Sequence, residues 1–161
     1  MVDIKIYTTG GTIDKIYFDR KDTYGVGGPA IGEVLKEANA GFAFEIESPF
    51  QKDSLDMTDA DRQLLYDRIC EDPARRVVIS HGTDTMIQTA RKLAGIADKV
   101  IVLTGALSPA RFKSSDAVFN IGAAVAAVQL LAPGVYIVMN GSIFDPRHVR
   151  KNLALNRFEH C

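Results

Sequence analysis

Little cysteine, almost no net charge and no long apolar run mark this chain, and each shortage removes a class of function. Cysteine occurs only twice in 161 residues, at Cys70 and Cys161. The two are far apart in sequence and have no metal spacing, so two reduced thiols are expected rather than a disulfide framework. The formal net charge is −1, which argues against a broad electrostatic footprint for nucleic acid or an anionic membrane. The longest apolar stretch, residues 121–131, is interrupted by Gly122 and Gln129. It falls far short of the roughly 20 residues that span a bilayer. No charged start followed by an apolar run opens the chain, so no secretory leader is expected and Met1 reads as a cytoplasmic start. Two nucleotide-binding signatures are missing as well. There is no Gly-Lys-Ser/Thr of a phosphate loop, and the pair Gly10-Gly11 does not continue into Gly-x-Gly-x-x-Gly opening a helix.

What is present is an ordinary globular composition, 47% apolar and 24% charged, of a length that suits one domain with a sizeable core. Apolar runs predict strands over residues 2–8, 42–47, 76–80, 99–104 and 135–139. Helical patterns lie between them: one opened by Pro29, one from a Thr58 cap to Cys70, then residues 85–94 and 116–131. Asn140-Gly141 is a hairpin signal with a return strand over 142–144. Residues 9–28 read as a long polar loop, and 145–161 as a short basic tail. Strand and helix alternate throughout, with crossovers long enough for right-handed units. The expected fold is α/β: a doubly wound, mostly parallel sheet (a Rossmann- or flavodoxin-like three-layer sandwich) with a C-terminal hairpin.

Polar clusters follow the expected strands: Thr8-Thr9-Gly10-Gly11-Thr12-Ile13, Asp53-Ser54-Leu55-Asp56, His81-Gly82-Thr83-Asp84-Thr85 and Asp145-Pro146-Arg147. Ligands bind beyond the carboxyl ends of parallel strands in such sheets, so all four clusters are expected to return to one mouth. Thr12 is a candidate nucleophile, needing a base or relay nearby, or a hydroxyl that merely bonds its own loop. Thr83 and Asp84 can cap a helix, and Asp84 can hold a ligand ammonium. His81 reads as a general base or a structural residue. Ser54 belongs to a polar turn, or holds a ligand carboxylate with neighbouring backbone amides. Lys151 is solvated, or, if buried beside Thr83, a proton acceptor. His148 and His160 are expected to be exposed.

Taken in order, Thr-Gly-Gly-Thr-Ile, Asp-Ser-x-Asp-Met and His-Gly-Thr-Asp-Thr resemble the bacterial-type L-asparaginase family. Leu103-Thr104-Gly105-Ala106 followed by a proline, and Val138-Met139-Asn140 leading to Asp145-x-Arg147-x-Val149-x-Lys151, extend the resemblance. It implies an amidohydrolase that releases ammonia from asparagine without cofactor or metal. It maps the nucleophile to Thr12, a second triad to Thr83, Asp84 and Lys151, and the carboxylate-binding serine to Ser54. Asp84 would also grip the substrate ammonium. An activating tyrosine after Thr12 would be Tyr17 or Tyr24. The implied substrate-contact set is Gly11, Ser54, Leu55, Gly82, Thr83 and Asp84, with amides around Gly11 and Thr83 as oxyanion donors. His81 then becomes a structural residue.

Familiar members of that family are roughly twice as long, so residues 1–161 are expected to form a single N-terminal-type domain with the usual second domain absent. Glu159, in the tail, is the expected replacement for that domain's acidic contact, reaching a neighbour's ammonium site in a homo-oligomer. Two other functions compete: a glutaminase or other amide hydrolase, including transamidation-linked ammonia release, and a non-catalytic amino-acid-binding module. Retention of Thr12, Ser54, Thr83, Asp84 and Lys151 together argues against the last.

Overall fold

The computed structural model describes residues 1–17, 24–26 and 29–161, of which residues 16, 17 and 24–26 are described by backbone alone. In chain order the elements are β1 (Ile4–Thr8), a one-turn 3-10 helix (Thr12–Asp14), β2 (Lys15–Tyr17), β3 (Tyr24–Val26), α1 (Ile31–Glu37), β4 (Phe44–Glu47), a second 3-10 turn (Ser54–Asp56) and α2 (Asp59–Glu71). They continue with β5 (Arg76–Ser80), α3 (Met86–Leu93), β6 (Val100–Thr104), α4 (Ala117–Leu130), β7 (Gly134–Met139), β8 (Ser142–Phe144), β9 (Val149–Asn152) and β10 (Arg157–His160).

Six strands form one sheet in the order β4-β1-β5-β6-β7-β8. The first five run parallel and β8 returns antiparallel to β7. This is the doubly wound α/β architecture expected from the apolar alternation, C-terminal hairpin included. The turn between β7 and β8 explains itself: Asn140 and Gly141 have φ of 54° and 76°, the pair of positive values that a tight hairpin turn requires.

The strands are apolar on both faces because both are covered. Tyr7, Val77, Ile79, Ile101, Leu103 and Ile137 face one core with Leu65 and Ile69 of α2 and Met86 and Leu93 of α3. Ile4, Ile6, Val78, Val102 and Val138 face the other with Ile31 and Leu35 of α1 and Ile121 and Val128 of α4. Helix α2 starts where the sequence says it should. The Thr58 hydroxyl accepts from Asp61 N–H while the Asp61 carboxylate accepts from Thr58 N–H, a reciprocal cap that stabilises by about 1 kcal/mol.

At the amino end of the central strands lies an ionic cluster. The Lys5 ammonium, almost fully buried, pairs with Glu45 at 2.7 Å, Glu47 at 3.2 Å and Asp72 at 3.4 Å. Tyr7 donates to the Asp72 carboxylate at 3.0 Å. Lys99 donates to the carbonyls of Asp72 and Ala74, tying the start of β6 to the chain leaving α2.

Two stretches differ from expectation. The long loop contains an antiparallel ladder of β2 and β3, with Tyr17 in register with Tyr24. The tail is a second hairpin, β9 against β10. Residues 149, 151, 158 and 160 share one face of it and residues 150, 152, 157 and 159 the other, because paired residues in an antiparallel ladder project to the same side.

Candidate active site

The strand order reverses between β1 and β5, the point where an open α/β sheet splays its connections and leaves a crevice. The loop after β1 is held to β5: Thr9 N–H and the Thr9 hydroxyl both donate to the Ser80 carbonyl, at 3.1 and 2.9 Å. The chain then turns through Gly10 and Gly11, with φ of 96° and 89°, values that disfavour any side chain. Gly11 presses on Gly82, backbone to backbone; a Cβ on Gly11 would lie 2.5 Å from Gly82 Cα. Gly82 presses in turn on Ser54, whose Oγ would be 2.7 Å from a Cβ at Gly82. Three segments far apart in sequence thereby close on one point, and Thr12 and Thr83, each one residue beyond a packed glycine, flank it.

Thr12 opens the 3-10 turn and is half-buried. Among the described residues no side chain bonds its hydroxyl. Lys151 on β9 reaches the crevice from the tail. Its ammonium donates to Thr83 Oγ1 and to Asp84 Oδ1, both at 2.8 Å. Thr83 is 7% exposed. Ser54 is buried; its Oγ accepts Thr85 N–H at 3.3 Å, which leaves its own O–H to donate to a ligand. The Leu55 N–H is already given to Asp53 at 3.1 Å, and Asp53 pairs with Lys15 at 3.2 Å, linking the Ser54 turn to the Thr12 turn.

Several expectations change here. Thr83 and Asp84 do not cap α3: the helix begins at Met86 with no side-chain cap on its Thr85 N-cap, because Lys151 occupies both side chains. Asp145-Pro146-Arg147 does not return to the mouth. The antiparallel β8 pairs Ile137 with Phe144 and carries the chain back toward the amino end of β7. There Asp145 and Arg147 pair with each other at 2.6 Å beside Gly134 and Tyr136. The chain regains the mouth one strand later, through Lys151. Glu159 lies on the face of the second hairpin opposite Lys151, where it accepts from Arg150 at 2.6 Å and Asn152 at 3.0 Å. The side chains of Tyr17 and Tyr24 lie outside the described part of the structure.

His81 is fully buried, and burial holds its imidazole down to about 4, against the pull of its bond to the Gly82 carbonyl. It bonds Gly82 and Thr89, a structural placement. His148 and His160 are exposed, and both cysteines are free.

Other residues that shape the site had no motif to announce them. Asp14, two residues past Thr12, is buried and accepts Ala30 N–H at 2.8 Å; burial pushes its carboxyl up to about 6. Asp116 accepts from Leu107 N–H, Ser108 N–H and Asn120, fixing the loop after β6, whose Ala110 N–H meets the Ile13 carbonyl. Arg62 and Thr89 were discoverable as polar residues within the apolar stripes of α2 and α3. Among the described residues no group of three or more His, Cys, Asp or Glu could hold a metal ion. No described helix is long and apolar enough to cross a membrane.

A sheet that reverses its order beside a crevice lined by hydroxyls, a carboxylate and an ammonium defines a doubly wound α/β protein built to hold a small polar molecule. More particularly, the chain belongs to the asparaginase family: the family model described as Asparaginase, N-terminal, matches residues 3–158. It is 41% identical over 85 residues to a glutaminase-asparaginase of Acinetobacter glutaminasificans, covering 50% of this chain and 26% of that protein. It is 44% identical over 77 residues to a glutamyl-tRNA(Gln) amidotransferase polypeptide of Methanococcus vannielii, covering 47% and 18%. Its fold is similar to the crystal structure of a probable cytoplasmic L-asparaginase from Campylobacter jejuni, with a TM-score of 0.84 and 31% identity, covering 99% of this chain and 53% of that one. The chain thus spans about half the length of that solved relative.

Proposed function

We propose that this chain hydrolyses L-asparagine to aspartate and ammonia, with Thr12 as nucleophile. The observation that carries the reading is the Lys151 ammonium, 2.8 Å from both Thr83 Oγ1 and Asp84 Oδ1. It arrives from 67 and 68 residues away at the crevice where Gly11 meets Gly82. A solvated tail lysine has no reason to be there; a proton relay does.

The chemistry follows from the groups. Ser54 donates its hydroxyl to the substrate carboxylate and Asp84 holds the α-ammonium, fixing an α-amino acid by both charges. Thr12 Oγ attacks the side-chain amide carbon while its proton leaves to Tyr17 or Tyr24. The carbonyl π electrons move to oxygen, and that oxyanion is held by backbone N–H groups. Collapse breaks the C–N bond, and the nitrogen takes a proton as it departs as ammonia. Water then opens the acyl ester, its proton passing through Thr83 and Lys151, and Thr12 is restored. The setting is cytoplasmic, no nucleic acid or membrane partner takes part, and the chain works as a homo-oligomer. Glu159 joins the substrate contacts only from a second copy, and an unchanged KM in Glu159→Ala removes it from the set.

Glutamine is the competing substrate, favoured by the similarity to a glutaminase-asparaginase and to a glutamyl-tRNA(Gln) amidotransferase. Ammonia release from asparagine, glutamine and a β-aspartyl amide, in the wild type and Thr12→Ala, decides. The expected result is release from asparagine that falls at least about 10⁴-fold in the variant. No release from any amide overturns the reading; equal release by Thr12→Ala overturns the nucleophile.

A further inference from the structure

Behind the crevice runs a hydrogen-bond chain whose direction is fixed by its ends. Arg62 Nε on α2 lies 3.0 Å from Thr89 Oγ1 on α3. That hydroxyl lies 2.7 Å from His81 Nε2, and His81 Nδ1 lies 2.6 Å from the Gly82 carbonyl oxygen. A guanidinium can only donate and a carbonyl can only accept. Nδ1 therefore carries the imidazole proton, Nε2 accepts from the Thr89 hydroxyl, and the hydroxyl accepts from Arg62. No other assignment satisfies all three bonds. Arg62 is 6% exposed, and His81 and Thr89 are fully buried, so water does not compete for any member.

The chain ends on one peptide plane. No described peptide bond is cis, and in a trans unit the carbonyl and the next N–H point in opposite directions. With the Gly82 carbonyl turned to the buried imidazole, the Thr83 N–H is turned away from it. Among the described residues that N–H has no partner, though Thr83 itself is 7% exposed. An unpaired amide beside a buried threonine is costly unless something else uses it.

We propose that His81, Thr89 and Arg62 are positioning residues: their one-way chain locks the Gly82–Thr83 peptide so that Thr83 N–H meets the negative oxygen that develops on the substrate amide. This rests on the amide-hydrolysis reading above. A donor aimed at charge that exists only in the transition state acts on kcat rather than KM. The guanidinium has a second feature suited to the role. Its Nη2 is buried without a partner, so Arg62 is a poor device for stability alone.

The test uses Thr89→Val, which keeps shape and removes both bonds at the middle of the chain, with Thr89→Ser as the conservative rescue and Arg62→Met as a second break. The expected result is a kcat about 10- to 100-fold lower in Thr89→Val and Arg62→Met. KM for asparagine stays within about threefold, and Thr89→Ser recovers most of the rate. Arg62→Met should keep the wild-type melting temperature or exceed it, which separates loss of rate from loss of fold. A folded Thr89→Val or Arg62→Met with wild-type kcat overturns the proposal. Nitrogen-15 NMR of the full chain reads the chain without turnover: His81 should remain neutral and Nδ1-protonated from pH 5 to 8, and an Nε2-protonated ring overturns the proposal. If the wild type hydrolyses no amide, the functional reading fails by that assay, while the NMR result still decides the chain.

Discussion

Gly11 and Gly82 touch through their backbones, so close that a Cβ on Gly11 would sit 2.5 Å from both Gly82 Cα and Gly82 N. The contact makes each glycine a spacer for a different part of the site. Gly11 sets the distance between the Thr12 turn and the Thr83 turn; Gly82 sets the distance from there to Ser54.

Gly82→Ala is expected to act on binding. The added methyl would meet Ser54 Cβ and Oγ at 2.7 Å, so the Ser54 turn must shift. Overpacking of this kind lowers stability by about 1–3 kcal/mol. Displacing the hydroxyl assigned to the substrate carboxylate should raise KM about tenfold or more. Steady-state kinetics and a thermal melt check both; an unchanged KM would remove Ser54 from the substrate contacts.

Lys151 should prove to be more than a counter-charge. Lys151→Met is expected to lower kcat by about 10²- to 10⁴-fold. Lys151→Arg discriminates between roles, because guanidinium keeps the charge but does not give up its proton. Ammonia release by the arginine variant should stay near the methionine level. Recovery to near wild type would assign Lys151 a purely electrostatic hold on Thr83 and Asp84.

Two buried groups titrate in opposite senses. Asp14 has a folded value raised from 3.8 to about 6, so its stabilising contribution is complete below about 3.8 and is lost as pH rises through about 6. His81 has a folded value lowered from 6.5 to about 4, so its contribution is complete above about 6.5 and is lost as pH falls through about 4. Between pH 4 and 6.5 the two oppose each other. Asp14→Asn keeps an acceptor for Ala30 N–H and has no charge to bury. It should be more stable than wild type at pH 7.5, by up to about 3 kcal/mol, and equal to it near pH 4. Urea unfolding at pH 4, 5.5 and 7.5 measures this; a gap that does not grow with pH would show that Asp14 ionises without penalty.

Most of the sheet was legible because its strands obey local rules. The Val77-Val78-Ile79 and Val100–Leu103 runs need both faces covered, and Asn140-Gly141 permits only a tight reversal. The same reversal misled where its consequence is global. Asp145 follows a strand like the other clusters, but β8 runs the opposite way, and only the register of β7 with β8 reveals that it leaves the mouth. The tail hairpin was illegible for a different reason. Residues 149–160 are charged on one face, and their pairing depends on Val149 and Phe158 finding a core that also holds Phe144. At the site, motifs supplied Thr12, Ser54, Thr83, Asp84 and Lys151. The supports, Asp14, Arg62, Thr89 and Asp116, act through single long-range bonds that leave no spacing in the chain.

The Lys5 cluster gives the molecule two poles. Charges that tie β1, β4 and α2 together sit at the amino ends of the strands, and the crevice sits at the carboxyl ends, with the apolar sheet as insulation between them. Heat tolerance and turnover are therefore set by different residues at different ends of the same strands. Strengthening one pole leaves the other free to trade rigidity for speed.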